Sequence, residues 1–155
     1  MASNLDRGPA DNDSMGQVIA RIKLTNPLDF YLADAGKLPA DQVRSAEIDG
    51  IVDTAATLLV LPGDVCARLG LRLHGTRNVR HANGATAAVP WTSVWLQILG
   101  REMLCDALVE EARTTALIGQ IPLEELDFVV DPKARELRVN PESPDAPLLD
   151  VFAAA

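Results

Sequence analysis

Asp53 follows the apolar pair Ile51-Val52 and precedes Thr54, Ala55 and Ala56, after which a second apolar run, Leu58 to Leu61, begins. A carboxylate set between two apolar segments is costly to ionise unless it is hydrogen-bonded or has work to do. The work open to a carboxylate in such a place is proton transfer. On these residues alone two readings stand: a turn acid held by nearby N–H groups, or a catalytic acid/base.

Other chemistry-bearing residues are less well arranged. His74 and His81 lie seven apart with no third ligand at useful spacing. A zinc site needs three or four ligands, so no metal is expected. Glu110-Glu111 and Glu124-Glu125 read as solvated charge and Asp131-Pro132 as a turn. There is no Gly-rich phosphate loop, no dinucleotide fingerprint and no activated Ser or Cys beside a histidine, and no cofactor is implied. Trp91 and Trp95 share one face if their segment is a strand, and read as core or dimer packing. Cys66 and Cys105 stand apart in apolar contexts without metal spacing, as buried free thiols of a reducing compartment do.

The elements that position Asp53 follow from patterning. The chain has 155 residues, 48% of them apolar and 23% charged, enough for one domain with a core. Its formal net charge of −8 argues against nucleic acid as a partner. Its apolar runs are far shorter than the roughly 20 residues of a membrane span, and its polar start has no signal-peptide core. A cytoplasmic protein is expected. Alternation predicts strands over 17–24, from about Val43 to Val52, and over 57–61. Pro62 opens a short helix that Gly70 closes, and Pro122 takes the first position of another. Thr25-Asn-Pro27 reads as a break and 28–37 as a mixed segment. Between 71 and 109 the pattern is all β. Asn83-Gly84 is a two-residue hairpin signal, and a second turn falls at 100–102. Short strands follow at Leu117-Ile118-Gly119, at 128–130 and at 137–139. The expected organisation is a disordered leader at 1–14, a mainly β domain with one or two short helices over 15–141, and a flexible tail at 142–155.

Four features in order resemble the retropepsin-like aspartic proteases, in their bacterial single-domain form. They are Val52-Asp53-Thr54-Ala55-Ala56-Thr57 with Leu61-Pro62 and Leu69-Gly-Leu71; the hairpin at Asn83-Gly84; Ala116-Leu117-Ile118-Gly119; and Leu123-Glu-Glu-Leu-Asp-Phe-Val-Val-Asp-Pro132. The resemblance implies a small closed β-barrel, one half of a two-fold dimer. It implies Asp53 as the catalytic carboxylate, supported in its loop by Thr54, Ala55 and Ala56. Asn83 and Gly84 become the tip of a flap over the cleft, and Leu117, Ile118 and Gly119 the strand packed beside the catalytic loop.

The implied chemistry is hydrolysis of a polypeptide by a water held between two carboxylates that share one proton. Only one Asp-Thr loop occurs, so the second carboxylate must be Asp53 of another copy, and the partners implied are a homodimer mate and a polypeptide substrate. The family pattern has Gly after Asp-Thr or Asp-Ser, where this chain has Ala55. The alternative implied by that methyl is a non-catalytic peptide-binding or assembly module of the same fold.

Overall fold

In the strand Ile19–Thr25 (β1), Ala20, Ile22 and Leu24 are buried while Arg21 and Lys23 between them are exposed. That alternation is what a sheet with one core face demands. The computed structural model describes residues 16–152, so the leader expected at 1–14 lies outside the described residues, as do the last three of the tail. β1 pairs antiparallel with Ser45–Val52 (β2) from Ile19↔Ile51 to Thr25↔Ser45, and antiparallel with the long strand Thr86–Ile98 (β5) at its other edge.

Leu59–Pro62 (β3), Leu73–Arg80 (β4), Arg101–Glu110 (β6) and Ala116–Ile118 (β7) complete a sheet of order β1-β2-β7-β3-β6-β5-β4. Because β1 also bonds β5, six of these strands close into a barrel and β4 stays outside as an edge strand on β5. Ile22, Leu24, Leu59, Leu61, Val94, Leu96, Ile98 and Ile118 fill its interior and are essentially inaccessible. Each such side chain contributes about 2 kcal/mol of burial. Cys66 and Cys105 are free and sit in the same core, where burial pushes their thiols up to about 11 and about 12. Among the described residues no helix is long and apolar enough to cross a membrane.

The mainly β barrel expected from the sequence is present, but where one or two short helices are expected the structure has three and a 3-10 turn at Ala40–Gln42. Gly63–Arg68 (α2) and Gln120–Glu125 (α3) fall where expected. Pro122 takes the third position of α3 instead of the first, because Gly119 is the N-cap. The unexpected helix is Pro27–Asp34 (α1), which starts at the Asn-Pro read as a break. Asn26 caps it by accepting from the Asp29 N–H at 3.2 Å, and donates to the carbonyls of Leu69 and Gly70 beyond α2. Asp29 is buried and takes the Arg44 guanidinium bidentately at 2.8 and 3.1 Å, which holds its carboxyl below the usual range. Phe30 of α1 stacks on Trp95 of β5 with centroids 4.0 Å apart. Trp95 and Trp91 therefore do share a face, but it is the outer face of β5 and not the barrel core.

The two-residue turn expected at Asn83-Gly84 forms instead at the second hairpin, at Leu99-Gly100. Both Leu99 (φ 49°) and Gly100 (φ 79°) are left-handed between the paired residues Ile98 and Arg101, the geometry of a two-residue type I′ turn. At Asn83-Gly84 only Gly84 has positive φ (85°), its N–H donates to the His81 carbonyl, and His81 pairs with Ala85. That is a three-residue loop with a glycine bulge.

The hairpin Phe128–Asp131 (β8) and Glu136–Val139 (β9) closes the domain. Asp131 is a turn acid, accepting from Lys133 and Ala134 at 3.0 Å. The segment read from sequence as a flexible tail is tied down as far as Leu148. Asp127 (φ 55°) accepts from Asn140 Nδ2 and the Leu148 N–H, each at 3.0 Å, and from the Ser143 hydroxyl. Buried Arg101 donates to the carbonyls of Leu126 and Asp127 at 2.8 and 2.9 Å and to that of Ser143.

Two predictions arise from these contacts. Leu99 pays for a left-handed backbone that Asn or Gly tolerates, so Leu99→Asn should raise stability by about 1 kcal/mol in chemical denaturation. An unchanged or lower midpoint would contradict the turn assignment. The hydroxyl and N–H donors of Ser143, Leu148 and Asn140 hold the Asp127 carboxyl at about 2, below its ordinary 3.8. A carboxyl lowered on folding stabilises above its unfolded value and loses that contribution as pH falls through the folded one. The tail clamp should therefore survive pH 4 and release toward pH 2. Carboxyl NMR titration of Asp127 checks this, and a midpoint at 3.8 would show that the clamp does not form.

Candidate active site

β2 delivers Asp53 and β7 fastens it. Val52 pairs with Ile118 in a parallel ladder, and the Asp53 N–H donates to the Ile118 carbonyl at 3.0 Å. The chain then turns sharply. The Ala56 N–H donates to the Asp53 carbonyl at 3.1 Å, and the Ala55 N–H donates to Asp53 Oδ1 at 3.0 Å. One carboxylate oxygen is thus engaged within its own loop, an arrangement typical of Asp in turns. Asp53 is half-buried, and Thr54 and Ala55 are exposed.

The far side of the loop is held from the start of α3. Gln120 and Ile121 donate their N–H groups to the carbonyls of Ala56 and Thr57 at 2.8 and 3.0 Å. This brings Gly119 against the loop. A Cβ there would stand 2.8 Å from the Ala56 carbonyl oxygen and closer still to that of Leu58. Gly119 has extended φ of −84°, so space and not backbone freedom requires glycine here. Leu117 and Ile118 therefore pair with the end of β2, and Gly119 packs against the loop from Asp53 to Leu58. Ala55 is not among the residues of positive φ, so its methyl imposes no left-handed strain.

The β4–β5 hairpin projects from the barrel, with Asn83 and Gly84 at its tip. A cavity of about 700 Å³ lies between this hairpin, the end of β2 and the loop after β6. Its lining includes His81, Val89 and Pro90 from the hairpin and Ile51 two residues before Asp53. Asn83 and Gly84 themselves do not line it. The third wall, Glu110 to Thr115, carries no motif in the sequence. Its one signal is a charged turn, where Arg113 bridges Glu110 at 2.8 Å. Beside the cavity Val60, Val89 and Leu108 form a second apolar cluster, with Leu58, Val79, Trp91 and Leu117 packed against it.

Thr54 opens on another side, into a space of about 760 Å³ that it shares with Gln120, Ile121, Leu148 and Leu149. Ile121, Leu148 and Leu149 are all exposed apolar side chains. Among the described residues no group of three or more His, Cys, Asp or Glu is placed to hold a metal, and His74 packs against Trp91.

No match was found among curated proteins. Among solved structures the chain is similar to EIAV protease complexed with the inhibitor HBY-793. That match has 18% identity, covers 79% of this chain and 91% of that one, and has a TM-score of 0.46. It is also similar to a retropepsin-like aspartic protease from Rickettsia conorii, with 19% identity, coverage of 74% and 87%, and a TM-score of 0.46. Residues 42–121, which run from the approach to β2 to the second residue of α3, match the family described as aspartyl protease. That span takes in the Asp53 loop, the hairpin and Gly119, and covers half of the chain: this protein belongs to the aspartyl protease family.

Proposed function

We propose that the protein is an aspartic endopeptidase that works as a two-fold homodimer, with Asp53 of each copy forming one carboxylate pair. The observation that carries the reading is the doubly fastened Asp53 turn, two residues beyond Ile51, which lines a cavity bounded on another side by the hairpin. Two carboxylates a few ångströms apart cannot both ionise, so the pair shares a proton. The ionised member takes a proton from a water, which attacks the scissile carbonyl while the protonated member donates a hydrogen bond to the carbonyl oxygen. The N–H of Ala55 on Oδ1 fixes the carboxylate's orientation.

Dimerisation is supported by the face around Thr54. Ile121 is 43% exposed, Leu148 66% and Leu149 55%, an apolar rim that a second copy would bury. Thr54, which lines the same space, would bond across the two-fold axis. The hairpin bearing Asn83 and Gly84 serves as the flap, and an extended substrate lies beneath it, held through backbone groups.

Two experiments test the reading. The wild type, incubated with a mixed peptide library between pH 4 and pH 7, should yield defined cleavage products. Asp53→Asn keeps the oxygen that accepts from Ala55 and should lower the rate at least about 1000-fold. Cleavage that survives this substitution would overturn the mechanism. A silent wild type with an active Ala55→Gly variant would instead mark a binding module. Gly119→Ala should cost about 3 kcal/mol in denaturant unfolding and abolish cleavage, because backbone carbonyls cannot give way as a side chain can. A neutral Gly119→Ala would show that the loop is not packed as described.

A further inference from the structure

The edge strand β4 carries a charge opposite to that of the rest of the protein. Between residues 65 and 101 the sequence has no Asp or Glu, and in and beside β4 it holds Arg72, His74, Arg77, Arg80 and His81. The whole chain has a net charge of −8, so the cationic character is concentrated here. Arg77 is fixed, with its guanidinium 4.0 Å above the Trp91 ring and 3.2 Å from Asp106. Arg72, just before the strand, and Arg80, its last residue, are exposed, and no carboxylate of the described residues bridges either.

β4 pairs with β5 alone and ends the sheet order, so its outer row of N–H and C=O groups is open. After the irregularity at Gly75, residues Thr76 to Arg80 pair with β5 in unbroken register. That stretch is long enough to template another strand. Charged edge residues also guard against aggregation, lysine above all, and this strand has no lysine. An open edge flanked by unneutralised arginines is complementary to an extended acidic segment.

We propose that the outer edge of β4 binds an acidic, extended polypeptide segment by strand addition, with Arg72 and Arg80 pairing its carboxylates. As a means of selecting acidic substrates the surface rests on the peptidase reading above. As a binding surface it is measured without turnover.

The test uses the full chain carrying Asp53→Asn, so that nothing is cleaved, and a fluorescein-labelled peptide alternating Glu and Val. Matching peptides with Gln or Lys in place of Glu serve as controls. Anisotropy should show the Glu peptide binding at least about tenfold tighter than either control, with that preference shrinking as salt rises. Amide exchange in β4 should slow when the Glu peptide is added. Arg72→Glu with Arg80→Glu keeps the edge charged and should reverse the preference toward the Lys peptide. Equal binding of all three peptides, no binding, no protection of β4, or an unchanged preference in the double variant would each overturn the proposal. Failure here leaves Asp53 chemistry untouched, and absent cleavage by the wild type leaves this binding intact.

Discussion

The close approach of Gly119 to the carbonyls of Ala56 and Leu58 is the contact on which the rest of the site depends. It lets β7 run beside β2 while the first turn of α3 donates two N–H groups back to the Asp53 loop. The loop is thereby bonded from both sides: from Ile118, which accepts the Asp53 N–H, and from Gln120 and Ile121, whose donors bind Ala56 and Thr57. A turn held only by its own bonds would leave the carboxylate free to reorient, and positional errors of about 1 Å are costly in catalysis. The barrel supplies the rigidity behind this junction, because its closure through β1 and β5 leaves β2, β7 and β3 no open edge there.

The elements beyond the junction are less constrained and more chemically varied. The β4–β5 hairpin leaves the barrel and so is free to carry its own charge and turn chemistry. Opposite it, the Glu110–Thr115 loop closes on itself through Arg113 and walls the cavity without joining the core. The C-terminal segment is held differently, by polar groups converging on Asp127 and Arg101. Those contacts carry Leu148 and Leu149 to the Thr54 face, where apolar side chains remain exposed.

Much of the core was legible from the sequence because its signals are local. The alternation in β1, the helix closed by Gly70 and the apolar triplet before Gly119 each express a backbone period or a turn requirement within a few residues. The Asn26-Pro27 pair reads as a break because Asn is both a strand breaker and a helix cap, and the Nδ2 bonds that hold the capping side chain reach Leu69 and Gly70, more than forty residues away. Asn83-Gly84 carried the strongest two-residue turn signal, yet the type I′ turn formed at Leu99-Gly100. There the register of two long strands dictated the backbone, and Leu99 accepted the strain. The cavity wall from Glu110 to Thr115 had no motif to find, since its part in the cavity comes from where β6 ends.

The sequence by itself determined the strand periods and the acid and hydroxyl of the Asp53 turn, because residue type and short-range spacing encode these, whereas the need for glycine after Ile118 comes from the distant carbonyls of Ala56 and Leu58. Tertiary structure decided that Ala55 sits at ordinary φ and that Trp91 and Trp95 lie outside the barrel. It also decided that the arginines of β4 flank an open edge. These outcomes depend on which strands meet and which edge is left over, a property of long-range pairing that no local pattern carries.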